Sequence, residues 1–123
     1  MADLLIRSGA AQPNGAVLSV TPESAGWSYV GFEVHRLGAG EGRAVRRAER
    51  EHCLVVLGGL VDVRAGAQSW PGIGGRADPL EGLPHAVYAP AGVPLEITAQ
   101  GPGGAEVAIA SAPGSLAKCF MAA

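Results

Sequence analysis

Clusters of glycine and proline interrupt this chain at short intervals, and they limit every element between them to a short segment. The 123 residues include 19 glycines and 9 prolines. The clusters lie at residues 13–15, 38–42, 58–59, 71–72, 74–75, 90–92 and 101–104. Glycine accepts positive φ and proline presets φ, so such clusters are turn signals. The pattern therefore predicts an all-β domain with many turns.

Short segments with strand character lie between these turns. We predict strands at residues 17–20, 28–37, 53–57, 60–65, 86–89, 95–99 and 106–110. The run 53–57 is continuously apolar, which predicts a strand covered on both faces. Only the two ends, 2–7 and 115–123, have helical potential. A set of about seven to ten strands with almost no helix indicates a sandwich or a barrel.

Composition and charge exclude several classes of protein. With 48% apolar and 16% charged residues the chain is not a disordered tail, and its length fits one domain over residues 1–123. A net charge of −2 argues against a nucleic-acid partner, and the run 43–50 mixes Arg with Glu as a solvated loop does. No apolar run approaches the ~18 residues that span a bilayer. Because the N-terminus also lacks the pattern of a signal peptide, we expect a cytoplasmic protein without membrane contact.

The two cysteines suggest no chemistry. Cys53 and Cys119 form neither a disulfide framework nor a Cys-x-x-Cys pair. Cys53 lies in the apolar run, where an inert buried thiol is the expected state. We also expect Trp70, which precedes Pro71, in a surface loop.

Two spacings resemble the sequence motifs of the cupins. Glu51 is followed by six residues, then by Gly58-Gly59 and a valine-rich strand. Further on, a Pro-x-Gly turn at 90–92 precedes a strand that begins at Leu95. Together the two spacings predict a single cupin-type jelly-roll β-sandwich.

The cupin resemblance also locates the ligands of a metal site, which are three His and one Glu. Here the first two His positions fall among residues 44–47, which are Ala, Val, Arg and Arg, and the last falls on Leu95. Only Glu51 remains, and by this resemblance it points towards the cavity, with His52 on the opposite strand face. Guanidinium and aliphatic groups do not ligate divalent cations, so we expect no metal and no other cofactor in this chain.

Three ordered segments, 21–34, 51–59 and 73–90, resemble the 5-deoxy-glucuronate isomerase family of inositol catabolism, and the resemblance covers residues 4–114. It implies an aldose–ketose isomerase that acts on a sugar acid. Members of that family carry two tandem jelly rolls, with the metal site in the C-terminal one. This chain resembles the N-terminal one, and its tail, 115–123, matches nothing in the family.

Two functions therefore stay open. The first is isomerisation with the help of a metal-binding jelly roll, and the alternative is a non-catalytic cupin that serves as an assembly or ligand-binding module. A sugar acid is the ligand that the isomerase resemblance implies. In the resembled proteins the two jelly rolls pack together, so we expect this one to cover its exposed apolar surface as a two-fold homodimer, with the tail packed across the partner.

Isomerisation needs a base that moves a proton between adjacent carbons. The weak catalytic candidates are Glu51 and His85. Each also has a structural interpretation, which we favour. Glu51 would pair with Arg76 or with an arginine of the run 43–50, and His85 would be a turn residue that bonds to the backbone.

The pocket candidates are His35, Arg76 and Tyr88. His35 shares a strand face with Tyr29 and Glu33. Alternation defines the two faces of a strand without saying which one is inside. Of the two possibilities for His35, a cavity wall or a solvated face, we expect the solvated face.

Overall fold

Ten strands and no helix account for the regular structure of the described residues. The computed structural model describes residues 16–20, 31–45, 49–76, 80, 82–114 and 120–122, and none of these forms a helix that could cross a membrane. The strands are β1 Ala16–Val20, β2 Gly31–Leu37, β3 Gly42–Val45, β4 Arg50–Gly58, β5 Leu60–Ala65, β6 Gln68–Gly74, β7 Ala86–Ala89, β8 Leu95–Gln100, β9 Ala105–Pro113 and β10 Phe120–Ala122. The predicted helical potential at 2–7 lies outside the described residues.

The strands form two antiparallel sheets. The larger sheet has the order β1-β2-β9-β4-β7-β10, and the smaller one has the order β3-β8-β5-β6. Most pairs join strands that are distant in the sequence, such as β4 with β9 and β3 with β8. Two sheets with this crossing connectivity make a jelly roll. The predicted all-β jelly-roll sandwich is confirmed.

Alternate residues of the two sheets meet in one apolar core. In β5, Val61 and Val63 are buried while Asp62 and Arg64 face outward, because strand side chains alternate between faces. Burial of one such side chain contributes about 1.5–3 kcal/mol. The largest fully buried aliphatic side chains are Leu54, Val56, Val61, Val63, Val87, Leu95, Ile97, Val107 and Ile109.

Three strands lie where the sequence predicts none. β3 includes residues 43–45 of the run expected to be a solvated loop, and β6 passes through Pro71-Gly72. Both are edge strands of the smaller sheet, where proline is tolerated because one side of the strand needs no partner. β10 lies in the tail, for which helical potential was predicted, and it pairs with β7.

Two single-residue expectations are wrong. Cys53 is exposed, because the outer face of β4 is only partly covered. Trp70 belongs to β6 and packs half-buried against the core, so it is not a residue of a surface loop.

Candidate functional site

Three polar side chains are buried among the described residues, and all three lie on the inner face of the larger sheet. His35 on β2 is 3% exposed, and Arg50 and His52 on β4 are 8% and 3% exposed. His35 pairs across the sheet with Val107, which belongs to the core. The expectation of a solvated face for His35 is therefore wrong, and Arg50 is not part of a solvated loop.

Arg50 is held in the interior by two hydrogen bonds to β9. Its Nε donates to the Ser111 hydroxyl at 3.1 Å, and its Nη2 donates to the Ser111 carbonyl at 3.0 Å. A buried charge needs such partners to offset the loss of hydration. The alternation that buries Leu54 continues back through His52 to Arg50. That continuation of the period-2 pattern is the signal that could have placed Arg50 inside.

The imidazole of His35 has unsatisfied polar atoms. Within the described part of the chain, neither ring nitrogen has a hydrogen-bond partner. The nearest acidic atom is Oε2 of Glu33, 3.9 Å from Nε2, which is beyond hydrogen-bond distance. The two residues share a strand face as the sequence predicts, but they do not form a hydrogen-bonded acid–base pair.

Glu51 lies on the outer face of β4, so its predicted direction towards the cavity is wrong. Its carboxylate accepts a hydrogen bond from the Tyr88 hydroxyl at 2.8 Å, and its side chain lies against Gly114. Tyr88 alternates with Val87 and Ala89, which are buried in the core, and therefore also faces outward. Tyr88 supplies the donor to Glu51 for which an arginine was predicted, and it lies on the outer face of the sheet.

The turn between β4 and β5 shows which glycine of the pair Gly58-Gly59 has the positive φ. Gly59, at φ +78°, is the turn glycine with positive φ, and an added Cβ there would lie 2.9 Å from Cα of Ala105. Glu51 is separated by six residues from Gly58 and faces outward, whereas His52 is separated by six residues from Gly59 and faces the interior. An imidazole therefore takes the inward position that the cupin resemblance gave to the carboxylate of Glu51.

The residues at the cupin ligand positions do not fit a metal ion. Leu95 is fully buried in the core, Val45 packs against the core, and His52 and Arg50 are the buried polar residues of β4. Residues 46–48 lie outside the described part, but Arg46 and Arg47 offer no metal ligand. The described residues include no group of three His, Cys, Asp or Glu side chains placed to hold a metal. This donor set carries no metal chemistry.

The remaining candidates lie apart from Glu51. Arg76 lines a groove at the end of the sandwich where β4 turns into β5, and its Nη2 donates to the Val56 carbonyl at 3.2 Å. The carbonyl of His85 accepts a hydrogen bond from the Val56 amide at 3.0 Å, which is a main-chain bond to β4 and not the predicted local bond of a turn residue. The structure therefore does not assemble Glu51 and His85 into one catalytic site.

Comparison with known proteins identifies relatives by sequence. Residues 4–120 match the model of the KduI/IolB family. The 5-deoxy-glucuronate isomerases of Geobacillus kaustophilus (strain HTA426) and Geobacillus thermodenitrificans (strain NG80-2) are 40% and 38% identical over 115 residues. These residues make up 93% of this chain and 41% of each relative, so the chain spans less than half the length of the curated relatives.

Comparison of structures agrees with the sequences. An IolB-like protein from Salmonella typhimurium LT2 superposes with a TM-score of 0.86 and 34% identity, over 97% of this chain and 45% of that one. Oxalate decarboxylase OxdC of Bacillus subtilis superposes with a TM-score of 0.65 at 19% identity, over 92% of this chain and 29% of that one, which shows a shared fold. By sequence match and by structure, the chain belongs to the KduI/IolB family.

Proposed function

We propose that this chain is one jelly roll of an aldose–ketose isomerase that converts 5-deoxy-glucuronate in the cytoplasm during inositol catabolism. The observation that carries the proposal is its 40% identity to a 5-deoxy-glucuronate isomerase over 93% of the chain. The same match covers 41% of the relative. The isomerisation therefore draws on a second jelly roll, on the same polypeptide or on another.

The chemistry explains why this chain's own residues support the reaction rather than complete it. The reaction moves a proton between adjacent carbons, which needs a base and a group that polarises the carbonyl. Glu51 is engaged by Tyr88 on the outer face, and His35 is enclosed in the core. A metal bound by the second jelly roll would supply that polarisation.

The test is an isomerisation assay with 5-deoxy-glucuronate. It compares the purified chain, the chain mixed with the remaining part of the Geobacillus kaustophilus isomerase, and that isomerase intact. Without carbonyl polarisation worth several kcal/mol, we expect the chain alone to be slower than the intact relative by on the order of a thousandfold or more. We expect the mixture to recover part of the rate. Full turnover by the metal-free chain alone would refute the proposal that the isomerisation draws on a second jelly roll.

The second candidate function is a ligand-binding module without catalysis. The groove at the end of the sandwich where β4 turns into β5 favours it, because it is a concave site of suitable size for a small molecule. Binding of a sugar acid by the chain, together with an inactive mixture, would establish this function in place of the first.

A further inference from the structure

The outer face of the larger sheet carries two rows of uncharged side chains. The register of β2, β9, β4 and β7 aligns these residues across four neighbouring strands. The first row consists of Phe32, Ala110, Cys53 and Tyr88, and the second row consists of Val34, Ala108, Val55 and Ala86. Their alternate neighbours along the strands, such as Leu54 and Val87, belong to the core, so the two rows face away from it. We call these two rows the outer patch.

The outer face of the smaller sheet has the opposite character. Asp62 lies across from Thr98, and Arg64 lies across from Glu96, on the outer sides of β5 and β8. A polar outer face is the rule for an antiparallel sheet that contacts water on that side. The middle of the larger sheet departs from this rule. A contiguous apolar patch on a protein surface marks an interaction site.

The outer patch is accessible to a partner. Cys53 is exposed, and the other members are partly exposed except Ala108, which is 6% exposed. Charged residues lie beside the patch at its two ends. Arg36 pairs with Glu106 at 2.8 Å at one end, and Glu51 lies at the other. An uncharged centre with a polar rim is the usual arrangement of a protein–protein interface.

The shape of the outer patch fits a second sheet better than a small molecule. Ala86, Ala108 and Ala110 have short side chains, so another sheet can approach to the distance of about 10 Å at which sheets stack. Small molecules bind instead in concave sites. The structure has grooves of that kind elsewhere, at the end of the sandwich and on the smaller sheet.

The larger sheet is wide enough for a dimer of this chain. Six strands about 4.8 Å apart, with about six residues each at about 3.3 Å per residue, cover roughly 600 Å². Two stacked copies would therefore bury about 1,200 Å², which is the lower limit of standard protein–protein interfaces. That area matches a reversible dimer rather than an obligate one, since obligate interfaces are larger.

We propose that a second copy of this chain stacks on the outer patch, so that the outer faces of the two larger sheets meet. β9 and β4 are the third and fourth of the six strands, so a two-fold axis through the middle of the sheet passes beside Ala110 and Cys53. A two-fold contact brings the same surface of both copies together. A low, uncharged patch is complementary to itself, and the mutual burial of its apolar side chains drives the association.

The first test uses the unaltered chain. Equal parts of ¹³C,¹⁵N-labelled and unlabelled chain are mixed, and an isotope-filtered NOE experiment detects contacts between copies. We expect intermolecular NOEs to the methyl groups of Val34 and Val55. The methyl group of Thr98, on the outer face of the smaller sheet, is the control and should show none. Intermolecular NOEs confined to residues outside the outer patch, or a monomeric mass at every concentration by light scattering, would overturn the proposal.

A charge at the centre of the outer patch is the second test. In Ala110→Arg each copy would have to bury an unpaired guanidinium, so we expect the Kd of the dimer to rise about a hundredfold or more. Thr98→Arg adds the same charge to the smaller sheet and should leave the Kd within about threefold. Sedimentation equilibrium measures both values, and circular dichroism shows whether both variants keep their sheets. Equal Kd values for the two folded variants would refute the contact.

These measurements also separate the outer patch from the edge of β10. Deletion of residues 115–123 removes β10 and narrows the sheet, so it weakens a dimer of either kind. Loss of the dimer after that deletion, together with an unchanged Kd in Ala110→Arg, would assign the contact to the edge and overturn the proposal. The outcome is independent of the isomerase assignment, because the mass and the NOEs are measured on the chain alone.

Discussion

At the scale of single residues, the direction of each polar side chain decides what it can do. Alternation correctly grouped Glu33 with His35 on one face of β2 and separated Glu51 from His52 on β4. It could not tell which face is inside, because that depends on how the two sheets stack. The cupin spacing, counted from Gly58, gave Glu51 the inward position and His52 the outward one, and the structure has the opposite. The sequence does not show which glycine of the pair Gly58-Gly59 takes positive φ.

His35 offers a direct test of the interior. Its buried nitrogens have no hydrogen-bond partner among the described residues, so an apolar side chain of similar size relieves their desolvation. We expect His35→Leu to leave the free energy of unfolding at pH 7 unchanged or to raise it by up to about 1 kcal/mol, measured by urea denaturation.

Arg50→Leu is the comparison on the same sheet face. It removes two hydrogen bonds to Ser111 and should lower the free energy of unfolding by about 1–3 kcal/mol. A loss of about 2 kcal/mol or more in His35→Leu would show instead that the imidazole has a stabilising partner.

We expect Cys53 to react slowly although the residue is exposed. Partial burial raises the pKa of the Cys53 thiol, which leaves less thiolate at pH 8 than a free thiol has. In a Cys119→Ser background, we expect iodoacetamide to alkylate Cys53 more slowly than glutathione at pH 8. The rate should still climb with pH above about 9, where an unperturbed thiol levels off. Mass spectrometry measures the rates, and a plateau below that pH would contradict the raised pKa.

At the scale of elements, the strands that alternate or are bounded by turns were predictable. β5 and β7 have the predicted bounds, and β8 differs by one residue. The segments that became β3 and β6 were not predictable from their own residues. Their edge positions tolerate arginine and Pro71, so strand formation there depends on β8 and β5 as templates.

The turn between β4 and β5 requires glycine for two reasons that can be separated. Gly40 and Gly59 have nearly the same φ, +77° and +78°, but a Cβ at Gly40 meets nothing within 4 Å. We expect Gly40→Ala to lower the free energy of unfolding by about 1–2 kcal/mol through φ alone. Gly59→Ala should cost about 1–3 kcal/mol more, because its Cβ would overlap the backbone of the β8–β9 turn. Urea denaturation of both variants measures the difference, and equal losses would refute the close approach.

At the scale of the whole molecule, the larger sheet ends at β10. Within the described part of the chain, this short strand pairs with β7 on one side and with no strand on the other. Open sheet edges are templates for a further strand, and a two-fold axis beside β10 would pair it with its copy. Residues 120–122 therefore extend their own sheet, and we expect them to offer an edge to a second chain.

We expect a homodimer at micromolar concentration that is weakened by deletion of residues 115–123. Light scattering at several concentrations measures the mass, and circular dichroism shows whether the shortened chain keeps its sheets. A monomeric mass at every concentration would remove the dimer. An unchanged dimer after the deletion would remove the role of the tail.

The central position of β9 sets the order in which the larger sheet can be completed during synthesis. β9 pairs with β2 from Gly31 to Leu37 and with β4 from Arg50 to Gly58, yet the ribosome makes it long after either of them. Until β9 is made, the edges of β2 and β4 that will pair with it keep unsatisfied backbone groups. Pairing over such sequence distances is slow. A nascent chain that stalls before Ala105 presents two open edges to its neighbours on the same messenger RNA. Chaperone capture during translation should therefore peak while β5 to β8 are being made and fall once β9 has left the exit tunnel.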